Sequence, residues 1–347
     1  MRNENVMGLL DKLQDKYKTL SIVGMSKNAG KTTALNYIIE EAMDEGMILG
    51  ITSTGRDGET VDLVTGTEKP RVFLDTGTIV SIPKQLYELA EAGLEILKMS
   101  KYSTALGQLL LCRVVESGYV QIAGPVSTVE HREMCKEMLS LGAELILIDG
   151  AIDRKSIAAP ETSDAIILST GAVLSRSLNR VVDETAHTLE LYSLPIIENQ
   201  FIRETIEDKN KKENVLIFSG NKVKKLDLKT GLGASRIIDS VINAETDHIY
   251  IPGALTDSVV ADIHPKKFKQ VKFVLKDPTK IFIDSIKWGQ LKKQGFCVEV
   301  LQNIKVAAIT VNPYAPLGYS FEHKALVDAM KAAVGDIPVV DVKYNAC

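Results

Sequence analysis

The sequence predicts an α/β protein in two domains, the first on a doubly wound, mainly parallel sheet and the second a smaller α/β domain. The chain has 347 residues, more than a single hydrophobic core usually serves. Strand-like apolar runs alternate with helical patterns along it. The alternation breaks around 195–213, where charges occur without a period. We therefore expect the domains to be 1–205 and 206–347.

In the first domain each element follows from its apolar period. Helical spacing predicts helices over 5–17, 33–44, 128–141 and 175–192. Apolar and β-branched runs predict strands over 20–24, 47–53, 71–82, 94–99, 109–122, 145–148 and 165–169. The run at 145–148 is an unbroken aliphatic stretch, which is typical of a parallel strand covered on both faces.

The second domain repeats the alternation of strands and helices. The predicted strands are 215–218, 248–251, 271–275, 297–300 and 307–311, and the predicted helices between them are 234–243, 258–263 and 285–294. A last helix is expected near 322–333.

The charge balance separates the two halves of the chain. The net charge is −4, which argues against a general nucleic-acid binder. Residues 1–200 carry 19 basic and 28 acidic side chains, whereas 201–347 carry 22 and 17. The second half contains a dense set of lysines, Lys209, Lys211, Lys212, Lys222, Lys224, Lys225 and Lys229. They indicate either a docking surface for an acidic partner or a solvated edge that blocks strand pairing.

Composition also indicates the compartment. No segment is long and apolar enough for a membrane span, and the polar N-terminus is unlike a signal peptide. We therefore expect a cytoplasmic protein without a membrane partner. The four cysteines, Cys112, Cys135, Cys297 and Cys347, have no CxxC spacing and are expected to be reduced thiols.

The segment 21–39, SIVGMSKNAGKTTALNYII, predicts a phosphate-binding loop between a strand and a helix. Backbone N–H groups at a helix N-terminus form an anion cradle, which Lys31 completes by reaching the β and γ phosphates of a nucleotide. Thr32 is the expected Mg²⁺ ligand. The first glycine of GxxxxGK[ST] falls on Met25, because Gly24 comes one residue early. The nucleotide-binding residues are therefore expected to be Gly24, Met25, Ser26, Lys27, Asn28, Ala29, Gly30, Lys31, Thr32 and Thr33.

Two carboxylates fit the remaining roles. Asp149 ends the aliphatic run 145–148, the position of an acid that holds Mg²⁺ beside such a loop, although a helix cap is the alternative. Asp57 lies 26 residues after Lys31 and is expected to contact Mg²⁺ or orient the attacking water, with a β-turn as the alternative. Nearby basic residues are candidates for neutralising charge on the γ-phosphate, with Asp153 orienting one of them. They are Arg56, Arg154 and Lys155.

This arrangement resembles the deviant-Walker branch of P-loop NTPases, which includes division-site ATPases, dethiobiotin synthetase and metal-cofactor GTPases. The resemblance implies that Lys27 is an additional catalytic lysine, which in such proteins can act across a homodimer. Lys27 stands four residues before Lys31, where those families place it five before. An exposed loop lysine is the alternative. No NKxD-type motif follows, which favours ATP over GTP as the nucleotide.

Longer strings narrow the resemblance. Segments 22–59, 116–125, 141–185 and 311–322 are similar to the smaller subunits of lysine 5,6-aminomutase reactivases. The resemblance implies an ATPase that works with a larger, MutS-like ATPase subunit. Together they would act as a chaperone, restoring an aminomutase of lysine degradation whose adenosylcobalamin is damaged. The cobalamin would belong to the aminomutase client, because no DxHxxG motif is present here.

Other functions remain open. An ATP-dependent small-molecule ligase or kinase of the dethiobiotin-synthetase type would use the same loop, with an acceptor near Asp57. A nucleotide-dependent binding module with negligible turnover is a third possibility. The rigid segment 312–319, NPYAPLGY, is either a contact loop for nucleotide or partner or a packed inter-domain loop.

Overall fold

The computed structural model describes residues 8–13, 15–54, 71–150, 162–208, 214–226, 228 and 234–343. The chain forms two compact units. The first is built from Met1–Thr185 and Lys305–Cys347, and the second from Ala186–Ile304.

The elements of the first half begin with the strand and helix that flank the predicted phosphate loop. They are β1 (Thr19–Gly24), α1 (Lys31–Glu45), β2 (Leu49–Thr54), β3 (Val72–Leu74), β4 (Ile79–Pro83), α2 (Lys84–Tyr87), β5 (Gly93–Thr104), β6 (Gly107–Glu116), β7 (Gly118–Val120), α3 (Thr128–Ser140), β8 (Leu145–Gly150), β9 (Ala165–Gly171) and α4 (Leu178–Tyr192).

The remaining elements complete the second unit and then return to the first. They are α5 (Gln200–Glu207), β10 (Val215–Ser219), β11 (Lys222–Leu226), α6 (Ala234–Val241), β12 (His248–Tyr250), β13 (Leu255–Thr256), α7 (Asp257–Val260), α8 (Pro265–Phe268), β14 (Lys272–Leu275), β15 (Ile281–Phe282), α9 (Ser285–Lys293), β16 (Cys297–Val300), β17 (Val306–Asn312), α10 (His323–Val334) and β18 (Val339–Asp341).

A nine-stranded sheet forms the centre of the first unit, in the order β18-β17-β9-β1-β8-β2-β4-β6-β5. The seven strands from β18 to β4 are parallel, and β6 and β5 add an antiparallel hairpin at one edge. β3 and β7 form a separate antiparallel pair. The expected α/β fold with a large, mostly parallel sheet is confirmed.

Helices cover both faces of this sheet. The side chains of β8 alternate between two cores, with Leu145 and Leu147 in one and Ile146 and Ile148 in the other. Helix α1 contributes buried side chains to the first core, and α3 contributes to the second. All four β8 side chains are fully buried, as expected for a parallel strand covered on both faces.

The second unit has a five-stranded sheet in the order β11-β10-β12-β14-β16. Strands β12, β14 and β16 are parallel, and β10 runs antiparallel to both of its neighbours. Phe273 and Trp288 are buried in one core of this sheet, and Phe218 is buried in another. The second unit is an α/β body smaller than the first.

The division of the chain differs from the expected boundary at 205/206. Residues 186–205 belong to the second unit, and 305–347 return to the first. The return follows from β17, which pairs in parallel with β9 and so extends the large sheet. The first unit has 23 basic and 30 acidic residues and a net charge of −7. The second unit has 18 basic and 15 acidic residues and a net charge of +3.

Some elements also differ from the sequence pattern. The run 71–82 is divided into β3 and β4 by a turn containing Gly77, whose φ is +93°. In the described part of 5–17, the structure has only a short 3₁₀ helix at Leu10–Lys12, held by the buried carboxylate of Glu41. No helix among the described residues combines the length and apolarity needed to cross a membrane.

Candidate functional site

The predicted phosphate loop joins β1 to α1 and has the backbone of a tight turn. Asn28 and Gly30 have left-handed φ values of 63° and 101°. The N–H of Met25 donates to the carbonyl of Ser169 on β9, at 2.9 Å, and Ala29 is buried. The loop is therefore fixed at one end by the neighbouring strand and at the other by Gly30, the N-cap of α1.

The N-terminus of α1 is suited to an anion. Within the described residues no side chain caps its first turn, and that turn contains no acid. By contrast, the first turns of α9 and α10 are capped by the carboxylates of Asp284 and Glu322. The first-turn N–H groups of α1 and the positive end of the helix dipole can therefore attract a negative group. Thr32 is exposed at this end.

Lys31 extends from this helix end to the adjacent strand. Its Nζ donates to the carbonyl of Gly150, the last residue of β8. A Cβ on Gly24 would lie 3.0 Å from Cγ and 3.1 Å from Cδ of Lys31. The glycine that comes one residue early for the motif thus ends β1 and leaves room for the Lys31 side chain.

Asp149 lies where three strand ends meet. In the sheet register it is opposite Ile22 on β1 and Ser53 on β2. The next residue pair is Gly150 and Thr54. The Oγ1 atom of Thr54 is buried and has no hydrogen-bond partner in the described part of the chain. The structure thus brings Lys31 to the strand end that carries Asp149, and it places Thr54, which sequence reasoning did not select, at the end of the neighbouring strand.

Asn312 is a neighbour of this loop that sequence reasoning considered only as the first residue of the segment 312–319, a contact loop or a packed inter-domain loop. A Cβ on Gly30 would lie 3.1 Å from the Cβ of Asn312, and one on Gly171 would lie 2.1 Å from its carbonyl oxygen. The end of β17 therefore packs against both the phosphate loop and the end of β9. The only sequence signal was the polar NPY string after an apolar strand.

His131 on α3 lies behind the end of β2. It is 1% exposed, and burial lowers its pKa to about 4, an effect partly offset by a hydrogen bond with the Ser53 backbone. The imidazole is therefore neutral at pH 7. A single histidine in a helix pattern gave no sign of this position.

The remaining predicted residues divide into two groups. Lys27 is half-buried within the loop, and Ser26 accepts a hydrogen bond from the Ala29 N–H at 3.3 Å. The other group lies outside the described residues and consists of Asp57, Arg56, Asp153, Arg154 and Lys155. Their roles, and that of Lys27, stay predictions.

The lysine-rich stretch is described in part. Lys222, Lys224 and Lys225 are exposed on β11, an edge strand of the second unit. Lys209, Lys211, Lys212 and Lys229 lie outside the described residues. Cys112 and Cys135 are buried free thiols, and Cys297 is a half-buried one.

Comparison with protein-family models, curated proteins and solved structures finds no significant match to this chain.

Proposed function

We propose that this protein is a P-loop ATPase that binds and hydrolyses Mg-ATP at the loop between β1 and α1. The observation that carries the proposal is the N-terminus of α1, which no described side chain caps and from which Lys31 crosses Gly24 to the end of β8. A backbone N–H cradle with a lysine beside it is the arrangement that triphosphates require.

The residues take distinct roles in this proposal. The N–H groups of the loop and of the first turn of α1 hold the phosphate oxygens. When nucleotide binds, Lys31 donates to the β and γ phosphates in place of the Gly150 carbonyl, because its ammonium forms a stronger hydrogen bond with a charged oxygen than with a neutral one. The Thr32 hydroxyl and the Asp149 carboxylate would hold Mg²⁺. When bound, the ion would supply positive charge to the phosphate oxygens.

Hydrolysis needs a positioned water. Water attacks the γ phosphorus, ADP leaves with the bridging oxygen, and the water proton passes to solvent or to phosphate. Asp57 stays the predicted residue that orients this water. Lys27 is the predicted second cation for charge developing on the bridging oxygen.

We further propose that the protein is the smaller subunit of a reactivase for an adenosylcobalamin-dependent aminomutase, as the resemblance of the four segments implies. It would work with a MutS-like ATPase subunit, in the cytoplasm. The net charge of +3 on the second unit supports docking of an acidic partner there.

Nucleotide binding is tested by titrating the purified protein with ATP and Mg²⁺ in a calorimeter. Lys31→Ala is expected to lower affinity roughly 10- to 150-fold, because a charge-assisted hydrogen bond to phosphate contributes about 1.5–3 kcal/mol. Lys84→Ala is the matched control, since Lys84 is the exposed first residue of α2. Equal binding by both variants would refute the phosphate-loop proposal.

The client is tested by measuring ATP turnover alone, with a MutS-like subunit, and with an inactivated aminomutase. The reactivase proposal is supported if both proteins stimulate ATP turnover and the aminomutase recovers its activity. ADP formation that requires a small acceptor instead identifies the ligase or kinase alternative.

Asp149→Asn is expected to reduce turnover and to weaken its dependence on Mg²⁺.

A further inference from the structure

The two sides of the phosphate loop differ in chemistry, and the difference orients a nucleotide. Lys31 reaches the Gly150 carbonyl at the end of β8, next to Asp149, on one side of β1. In the proposed function, the γ-phosphate end of a triphosphate therefore faces β8. The nucleoside must leave on the other side of β1, where β9 and then β17 follow. At about 4.8 Å per strand, β17 lies about 10 Å from β1.

The segment that follows β17 is a built hairpin. The Tyr314 N–H donates to Oδ1 of Asn312 at 3.1 Å, and Tyr314 pairs with Ser320 in an antiparallel bridge. The Phe321 N–H donates to the Pro313 carbonyl at 2.9 Å. We call residues 312–321 the β17 hairpin. Because Asn312 also packs against Gly30, the hairpin begins directly beside the phosphate loop.

The returning strand of the β17 hairpin is anchored to the chain that follows β9. The hydroxyl of Tyr319 donates to the Ala172 carbonyl at 2.5 Å. The guanidinium carbon of Arg176 lies 5.2 Å from the centre of the Tyr319 ring. The hairpin is thus fixed at its base and along its returning strand.

Tyr314 is held in one orientation by a chain of hydrogen bonds. Its hydroxyl lies 2.9 Å from Nε2 of His323, and Nδ1 of His323 lies 2.6 Å from Oδ2 of Asp341. The two rings meet edge to face, with centroids 5.4 Å apart. Asp341 is 5% exposed, whereas Tyr314 is 49% exposed. A buried carboxylate therefore fixes an imidazole, which fixes a half-exposed aromatic ring.

We propose that the Tyr314 ring is the stacking platform for the nucleotide base, and that His323 and Asp341 are positioning residues that hold it. This inference rests on the proposed function, whose phosphate site it extends. A ring already locked in place loses little side-chain freedom when a base stacks on it. Every base has a π face, so the platform accepts ATP and GTP alike and does not by itself select between them.

Inorganic tripolyphosphate separates the base contact from the phosphate contact. Calorimetric titration with ATP and with tripolyphosphate, each with Mg²⁺, is carried out on the full chain and its variants. Tyr314→Ala is expected to weaken ATP binding about tenfold, the usual size of one base–aromatic stack. Binding of tripolyphosphate is expected to be unchanged.

Three further variants test the positioning. Tyr314→Phe keeps the ring but removes the hydroxyl that hydrogen-bonds to His323. Its loss of ATP affinity should therefore be smaller than that of Tyr314→Ala. Asp341→Asn should resemble Tyr314→Phe, because it acts through His323. Leu317→Ala, at a 79% exposed position on the same hairpin, is the control and should bind both ligands normally.

The outcomes separate this inference from the proposed function. If Tyr314→Ala binds ATP as tightly as the unmodified protein, or loses both ligands equally, the platform is refuted while the phosphate site stands. If the unmodified protein binds neither ligand, the proposed function is refuted and the platform with it. Loss of ATP affinity alone supports both.

Discussion

Replacement of Gly30 by alanine tests whether the backbone of the phosphate loop is the functional feature. Gly30 has φ +101°, and a side chain at such a value costs about 1–2 kcal/mol. The added Cβ would also meet the Cβ of Asn312 at 3.1 Å, so the loop or β17 must shift by a few tenths of an ångström. A shifted loop loses at least one charge-assisted hydrogen bond to phosphate, about 1.5–3 kcal/mol, or roughly 10- to 150-fold in affinity.

Gly46→Ala supplies the matched control. Gly46 ends the same helix with φ +69°, and a Cβ there would meet nothing within 4 Å. Both variants should therefore lose about 1–2 kcal/mol of unfolding free energy, but only Gly30→Ala should lose ATP affinity. In an Asn312→Gly background, which removes the opposing Cβ, Gly30→Ala should cost less.

Stability of the first unit is measured by thiol labelling in urea, with labelled peptides resolved by mass. Cys112 and Cys135 are buried in this unit and become reactive only when it opens. Calorimetry gives the ATP affinity of each variant. Equal ATP affinity for Gly30→Ala and Gly46→Ala would refute the assignment of the loop as a phosphate cradle.

Three further predictions concern named side chains. His131 is buried in its neutral form with a pKa of about 4, whereas its pKa in the unfolded chain is about 6.5. The unfolded state therefore binds a proton first as pH falls, and the free energy of unfolding should decrease by about 2 kcal/mol from pH 7 to pH 5. In thiol labelling, the His131→Leu variant should lack this part of the pH dependence. Glu41→Gln keeps one acceptor for the 3₁₀ helix and the Tyr37 hydroxyl where the carboxylate has two, so urea titration should show a loss of about 1–3 kcal/mol. Although burial acts to raise the pKa of Glu190, hydrogen bonds from Lys292 and Trp288 hold that pKa below its usual value. The stability that the Glu190 carboxylate contributes is therefore present above pH 4.5 and is lost as pH falls further. The fluorescence of Trp288, the sole tryptophan, should report this loss, and the Glu190→Gln variant should not show it.

Local patterns predicted most strands and helices, but not the sheet to which each belongs. The aliphatic run of β8 is a local signal and was confirmed as a buried parallel strand. β17 was also predicted as a strand, yet its pairing with β9 joins residues more than a hundred positions apart and leaves no local pattern. Helix α5 was missed because its eight residues are too few for a clear period, although Asn199 caps it.

The same limit applies to the site. Lys31 and Asp149 were selected as candidates because a motif and a strand end are local features. Thr54 and Asn312 lie at the candidate site only through the strand order, which places β2 and β17 near β1. The burial of His131 depends on how α3 lies on the sheet, and sequence spacing does not specify that packing.

The basic character of the second unit leads to a prediction about its partner. Lys222, Lys224 and Lys225 are exposed on β11, whose outer edge has no neighbour in the described sheet. Replacing all three by glutamine should reduce stimulation of ATP turnover by an acidic partner at low salt and leave turnover by the protein alone unchanged, because rim charges mainly set the association rate.

A triple glutamine variant elsewhere in the unit controls for net charge. Its positions are Lys266, Lys269 and Lys293, all exposed. If both variants lose stimulation equally, the unit attracts its partner only through overall charge. If the β11 variant keeps full stimulation but self-associates, the lysines serve to block strand pairing at the edge. Loss of stimulation in the β11 variant alone would identify this strand as the docking site, provided that its difference from the unmodified protein disappears at high salt. Salt screens the long-range attraction between exposed charges, so the difference should depend on ionic strength.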